Sequence, residues 1–351
     1  MIIITATDDR YVPGVLALIY STWVHNDDVK FYVLDNGISS ENKKKIQILS
    51  AKIHSPITLI DVSDSGISGI ELPDDRLTVS AYARLLIPDN FKDHEKVLYL
   101  DCDMLVTNSL ADLYNKDLGN SVAGVIVDYG PGQKELLQVG ISGDTYFNSG
   151  LILFNIPEWR KSRITERCFE EVSKTLFLYH DQSALNVVCQ GRVTYLPQEY
   201  NIFVDVPAER RREAKVKDIK VLHYVGPSKP WLVAKTKPRD PATIYAEIWN
   251  IYASSINDLI ALPNASDLSR EKSFTQFVSE CLSDLNRWRK AWMGRMVGKQ
   301  KYIRRADATK FLNHLLPQIH TRMLNEFREM EKEKQHRNTL KISKDRRADC
   351  T

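Results

Sequence analysis

The chain has 351 residues, 43% of them hydrophobic and 26% charged, with a formal net charge of +3. That length accommodates one large α/β domain with an appendage, or two modest domains, and the composition is that of a soluble protein with a sizeable core. The small net charge hides a division: residues 287–351 carry eighteen Lys and Arg against seven Asp and Glu, whereas the first 286 carry thirty against thirty-eight. A basic end (+11) on a mildly acidic body (−8) points to an anionic partner surface, membrane or nucleic acid.

Ile2 to Ala6 is an apolar, β-branched run suited to a strand buried on both faces. Pro13 to Trp23 has helical apolar spacing, Val29–Leu34 reads as a second strand closed by Asp35-Asn36-Gly37, and Ser40 to Leu49 reads as a polar-faced helix capped by Ser39 or Ser40. Ile57–Val62 is a third strand. Residues 78–87 read as a helix containing Ser80, Tyr82, Ala83, Arg84 and Leu85. The strand Lys96–Leu100 runs straight into Asp101-Cys102-Asp103, and Val122–Val127 ends at Asp128. Tyr146–Ile156, with Gly150 inside it, is a hairpin or a strand that precedes a helix starting near Pro157. Val193–Leu196 and Val221–His223 complete the set.

This alternation predicts an α/β fold, a mostly parallel, Rossmann-like open sheet with helices on both faces. A catalytic domain over 1–268 would be followed by a small, helical, basic C-terminal region over 269–351. Within that region Trp288 and Trp292 share a helical face with Leu285 and Met296, among Arg287, Arg289, Lys290 and Arg295. The five cysteines (Cys102, Cys168, Cys189, Cys281, Cys350) form no CxxC pair, so neither a disulfide framework nor a zinc ribbon is expected. Met1 to Asp9 turns acidic too early for a signal peptide, and no run approaches about 18 apolar residues, so a cytoplasmic protein without a membrane span is expected.

Three groups of residues carry candidate chemistry. Two residues apart on a strand, Asp101 and Asp103 would point to one face, where their like charges repel unless a cation neutralises them. At the carboxyl end of a parallel strand the natural occupant is Mg²⁺ or Mn²⁺ bridging a diphosphate; the alternative is a solvated loop with two capping aspartates. The run from His223 to Trp231 supplies an imidazole that tilts the ion toward Mn²⁺, then Gly226 for close phosphate approach and Lys229 as a point charge. A hydrogen-bonded core histidine is the competing reading. Asp181-Gln182 offers a carboxylate and an amide side by side, or a helix start with Asp181 as its cap. Asp8 and Asp9, followed by Arg10 and Tyr11, either hold a nucleoside or make a strand-to-helix turn. Neither GxGxxG after the first strand nor GxxxxGK[ST] occurs.

In order, the segments Ala6 to Tyr11, Ser80 to Leu85, Tyr99 to Asp103, Tyr146 to Gly150, Asp181 to Asn186 and His223 to Trp231 resemble those of the retaining nucleotide-sugar glycosyltransferases, family 8. That family includes the bacterial lipooligosaccharide galactosyltransferases and the glycogenin-type enzymes. The resemblance covers about residues 1–231 and implies a GT-A fold. It assigns Asp101, Asp103 and His223 to Mn²⁺, with Mg²⁺ as the other candidate. Asp8, Tyr11 and Cys102 would hold the nucleoside of a UDP-sugar, and Gly226 with Lys229 its diphosphate. Arg84, Asp128, Asn148, Asp181 and Gln182 would contact the donor sugar, with Asp181 or Gln182 at the reacting carbon. Arg10 stands where close bacterial relatives have asparagine.

The implied activity is transfer of galactose or glucose to a saccharide acceptor, expected to be a lipid-linked cell-surface glycan of lipopolysaccharide type. The C-terminal region would rest on the inner face of the membrane, since an aromatic face bordered by cations suits anionic lipid. No nucleic-acid motif appears. Two rival classes remain: a metal-dependent nucleotide-sugar phosphohydrolase and a non-enzymatic membrane-bound scaffold.

Overall fold

A computed structural model describes residues 1–62, 82–204, 219–225, 229–231 and 241–260. Seven strands form the main sheet: β1 (Ile2–Thr7), β2 (Lys30–Asp35), β3 (Ile57–Asp61), β4 (Lys96–Leu100), β6 (Ala123–Val127), β7 (Phe147–Asn155) and β8 (Val193–Tyr195), in the order β3-β2-β1-β4-β7-β6-β8. Four of its six pairings are parallel, and β7 alone runs antiparallel to both neighbours. The sheet is thus mostly parallel, as expected. The segment around Gly150 is one nine-residue strand rather than a hairpin.

The two faces of the sheet bury alternate residues, as the period of a strand requires. Ile3, Phe31, Val33, Leu98, Leu100, Leu151 and Leu153 pack with the helix Val12–His25, which is buried along nearly its whole length. Ile4, Ala6, Leu34, Val97, Tyr99, Ile152 and Phe154 pack on the other side with residues of the helices Ile156–Lys161, Ile164–Lys174 and His180–Val188. The helix Ser40–Lys52 buries only Ile46 and Leu49; Ser39 Oγ accepts from Asn42 N and caps it. Of the helix expected over 78–87, the described residues show Tyr82 and Ala83 helical, followed by a 3-10 turn, Arg84–Leu86, and a single α-turn, Ile87–Asn90.

A second sheet was not anticipated. It consists of β5 (Met104–Val106), β10 (Val221–His223) and β9 (Ile202–Phe203), in the order β5-β10-β9. β10 pairs antiparallel with β5, setting His223 opposite Met104. Tyr224 N donates to Asp103 O at 2.9 Å, extending that register by one residue. This pairing carries the histidine across the chain to the aspartates. No helix among the described residues is long and apolar enough to cross a membrane. The basic C-terminal region, with Arg287, Trp288, Arg289, Lys290 and Trp292, lies outside the described residues, as do Gly226 and the proposed boundary near residue 268.

Candidate active site

Asp101-Cys102-Asp103 is the turn that joins the two sheets, closed by Met104 N donating to Asp101 O at 3.1 Å. The expectation that both side chains converge because they alternate along a strand is corrected here: a turn, not a pleat, brings them together. Both carboxylates and the His223 imidazole place one ligand atom each within 4.8 Å of one another. His223 Nε2 stands 3.1 Å from Asp103 Oδ1 and 3.8 Å from Asp101 Oδ2.

Gly150 forms the floor of this cluster. Asp101 N donates to Gly150 O at 2.8 Å, so β7 runs directly beneath the turn. A Cβ on Gly150 would lie 2.5 Å from His223 Cε1, 2.7 Å from Asp101 Oδ2 and 2.8 Å from Asn148 Oδ1. The space above the strand exists because residue 150 has no side chain.

Two cations serve the carboxylates. Arg84, 7% exposed, reaches Asp101 Oδ1 with Nη2 at 3.0 Å and Asp181 Oδ2 with Nε at 3.2 Å, while its Nη1 donates to the Ser149 carbonyl and hydroxyl at 2.5 and 2.9 Å. It also lies 4.8 Å from the centre of the Tyr99 ring, whose hydroxyl donates to Asp101 Oδ1 at 2.7 Å. Burial would lower the Arg84 guanidinium, but Asp101 and Asp181 overcome it and hold it above its ordinary range. Lys229, 5% exposed, donates to Asp103 Oδ2 at 2.5 Å and to Tyr224 O at 2.6 Å.

Burial would raise the Asp103 carboxyl; His223 and Lys229 prevail and push it below the usual carboxylate range. Asp103 Oδ1 is nevertheless buried without a hydrogen-bond donor, its approach to His223 falling short of hydrogen-bond geometry. A buried carboxylate oxygen left unpartnered beside a second carboxylate and an imidazole is the donor set of a hard to borderline divalent cation. The residues present therefore fit a metal site.

Beside this cluster lies a network of amides. Asp181 and Gln182 sit in the first turn of the helix His180–Val188, one and two residues beyond its start, so Asp181 is not the helix cap. Gln182 Oε1 accepts from Asn148 Nδ2 at 2.9 Å and from Ser149 N at 3.0 Å; its Nε2 faces Asp128 Oδ2 at 3.3 Å and the Tyr146 hydroxyl at 3.4 Å. Tyr146 in turn donates to the fully buried Glu135 at 2.9 Å, and burial raises its hydroxyl well above the phenolic range. Asp181 Oδ2 accepts from Ser149 Oγ at 3.2 Å as well as from Arg84; burial raises its carboxyl despite that guanidinium.

On the opposite side, Asp8 Oδ1 accepts from Arg10 N at 2.9 Å and caps the 3-10 turn Asp9–Tyr11. The Tyr11 ring lies 5.9 Å from Lys229 Nζ and meets Trp231 edge-on at 5.8 Å. Trp231 packs against Gly14, where a Cβ would meet its ring at 2.6 Å and Cys102 O at 2.5 Å. The Cys102 thiol is pushed well up by burial. The structure thus gathers Asp101, Asp103, His223, Arg84, Lys229 and Asp181 into one connected cluster, joined through Ser149 and Asn148 to Gln182 and Asp128, with Tyr11 at the rim.

Comparison with known proteins decides the kind of molecule this is. Residues 2–234 match the family described as Glycosyl transferase family 8. The chain belongs to that family. A putative glycosyltransferase of Haemophilus influenzae is 26% identical over 275 residues, covering 76% of this chain and 81% of its own. A lipopolysaccharide 1,2-glucosyltransferase of Escherichia coli is 28% identical, covering 64% and 71% respectively. Among solved structures, the galactosyltransferase LgtC in complex with donor and acceptor sugar analogs superposes with a TM-score of 0.60 at 29% identity, covering 73% of this chain and 96% of that one. The fold is the GT-A type and the chain is a glycosyltransferase.

Several residues of this glycosyltransferase's site were not singled out in the sequence. Asn201 and Glu135 reach it through contacts between residues distant in the chain and lie in no motif, while Tyr99, Tyr146 and Ser149 stand within family-like segments that assigned them no role. Asn201 Nδ2 donates to Asn148 Oδ1 at 2.8 Å and Asn201 Oδ1 faces His223 Nδ1 at 2.9 Å.

Proposed function

We propose that this chain is a metal-dependent, retaining hexosyltransferase that moves galactose or glucose from a UDP-sugar to a saccharide acceptor. The observation that carries the reading is the convergence of Asp101, Asp103 and His223 over Gly150, with Asp103 Oδ1 buried and unpartnered. Those three residues would hold Mn²⁺, or Mg²⁺ in its place; when bound, the ion stabilises negative charge on the departing diphosphate. Lys229 adds a positive charge for the same oxygens, and Tyr11 with Asp8 and Cys102 frames the nucleoside. Arg84, Asp128, Asn148, Asp181 and Gln182 form the wall that faces the sugar.

Retention of configuration admits a covalent intermediate or attack on the face the leaving group departs from. The first needs a free nucleophile close to the anomeric carbon. Gln182 Oε1 already accepts two hydrogen bonds, and Asp181 Oδ2 is held by Arg84 and Ser149. That arrangement favours the front-face route, in which the departing phosphate oxygen takes the acceptor's proton. Isolation of a glycosyl adduct on Asp181 would sink it.

The acceptor we infer is a lipid-linked cell-surface glycan, supported by the lipopolysaccharide glucosyltransferases among the relatives and by the basic, Trp-bearing end of the sequence. That end would seat the enzyme peripherally on the inner face of the membrane. Removal of residues 285–351 is expected to abolish binding to anionic liposomes while leaving transfer to a soluble acceptor.

The decisive experiment measures release of UDP from a panel of UDP-sugars, with and without Mn²⁺ and with and without saccharide acceptors. Metal-dependent turnover of UDP-galactose or UDP-glucose, stimulated by acceptor and lost in Asp103→Asn together with Mn²⁺ binding, is the expected result. Turnover indifferent to acceptor would instead favour a phosphohydrolase. Anionic-lipid binding without affinity for any UDP-sugar would favour a scaffold.

A further inference from the structure

The hydrogen-bonded chain of amides ends on the metal-facing histidine, and its polarity can be followed one bond at a time. A backbone N–H can only donate. Gly150 N donates to the Asn148 side chain at 3.0 Å, so the atom it meets is Oδ1. Ser149 N donates to the Gln182 side chain at 3.0 Å, so that atom is Oε1. With both carbonyls fixed, Asn148 Nδ2 donates to Gln182 Oε1 and the amide of Asn148 cannot be reversed without opposing two donors and two acceptors.

Asn148 Oδ1 accepts a second bond from Asn201, which must therefore present Nδ2 to it, at 2.8 Å. Asn201 has one side-chain oxygen left, and it faces His223 Nδ1 at 2.9 Å. Nδ1 consequently carries a proton whatever the charge of the ring. The lone pair available to a cation then belongs to Nε2, the nitrogen 3.1 Å from Asp103 and 3.8 Å from Asp101. Asn201 is 1% exposed and His223 3%, so water does not compete at either end.

We propose that Asn201 is a positioning residue that sets the tautomer and orientation of His223, using the backbone N–H of Gly150 as its reference. The inference rests on the reading of Asp101, Asp103 and His223 as a cation site. It adds that the floor strand β7 and the ligand histidine are wired together, so the strand beneath the site also selects which imidazole nitrogen faces it. An outer-shell partner of this kind changes metal affinity by about 10- to 100-fold when removed.

The test uses the full-length protein labelled with ¹⁵N-histidine, metal-free and at a pH where the ring is neutral, with His223 assigned by its absence in His223→Ala. Long-range ¹H–¹⁵N spectra should show the Nδ1–H form. Asn201→Leu should lose that preference and bind Mn²⁺ about 10- to 100-fold more weakly by electron paramagnetic resonance titration. Asn201→Asp, which retains an acceptor toward Nδ1, should restore the Nδ1–H form. The proposal is overturned by an Nε2–H signature in the wild type, or by an Asn201→Leu protein that keeps both the Nδ1–H form and the wild-type Mn²⁺ affinity. If Asn201→Leu does not fold, the wild-type and Asn201→Asp spectra decide alone. Failure of the wild type to bind Mn²⁺ would strike the cation-site reading instead, and the tautomer would still be read.

Discussion

Gly150→Ala is the sharpest test of the geometry, because it adds one carbon and changes no charge. Its Cβ would meet three atoms at 2.5, 2.7 and 2.8 Å, where non-bonded carbons rest at about 3.5–4.0 Å. His223 and Asp101 must retreat by roughly 0.8–1 Å to reach even the short end of that range. Neither can do so cheaply: Asp101 is held by Arg84 at 3.0 Å and Tyr99 at 2.7 Å, and His223 by Asn201 at 2.9 Å. Overpacking of this kind costs about 1–3 kcal/mol. Metal–ligand distances tolerate only about 0.2 Å, so the displacement is large on the scale of coordination. We expect a fall in Tm of several degrees and Mn²⁺ affinity at least about tenfold weaker, the lower end of what loss of an outer-shell partner alone does. Gly132→Ala, where an added Cβ meets nothing within 4 Å, is the matched control. A Gly150→Ala protein that binds Mn²⁺ as the wild type does, and melts with it, would refute the assignment of Gly150 as the floor of the site.

Three further outcomes follow from the same contacts. Arg84→Met strands Asp181 as a buried carboxylate and takes the cation from half-buried Asp101, and urea unfolding should show a loss of about 3 kcal/mol; Arg84→Lys keeps the charge but not the planar fork, and should recover only part of it. Asp9 accepts from Ser39 N and Asn42 Nδ2, both at 2.8 Å, and these bonds lower its carboxyl below the ordinary value. Its stabilisation is therefore present above that ordinary value and lost as pH falls through the depressed one, so Asp9→Ala, costing about 1 kcal/mol near neutrality, should converge with the wild type in acid. Lys229→Met should weaken UDP binding measured by calorimetry yet strengthen Mn²⁺ binding to the nucleotide-free protein, because the ammonium 2.5 Å from Asp103 competes with the cation.

The main sheet was legible because its strands are continuous apolar runs bounded by turn residues; Val97–Leu100 ending in Asp101 is the clearest case. Of the second sheet only Val221–His223 was legible. β5 has three residues and β9 two, too few for any period to register, and the pairing that brings His223 beside Asp103 joins residues 120 apart in the chain. The charged residues of the site stood out in the sequence because each is a costly group at a strand end, or matched a family segment. Asn201 did not, because a single asparagine in a loop is ordinary and its meaning lies in two bonds to residues 53 and 22 positions away.

The charge balance of the site explains why Arg84 and Lys229 cannot exchange roles. Asp101, Asp103 and Asp181 bring three carboxylates; Arg84 spans two of them and Lys229 takes the third. Arg84 also donates twice to Ser149 and lies against Tyr99, so its fork is fully used and fixed in place. Lys229 has two partners, Asp103 and a single carbonyl, on a flexible four-carbon stem. Were Asp101, Asp103 and His223 to hold a divalent cation, it would supply Asp103 with the charge that Lys229 supplies in its absence, and the ammonium would be available to a phosphate. Arg84 would remain, keeping Asp101 aimed at the cation and Asp181 at the sugar. On this account the aspartate pair is held ready by a rigid guanidinium on one side and a displaceable ammonium on the other. The opposite effects expected of Lys229→Met on Mn²⁺ and UDP separate that account from one in which both cations are merely structural.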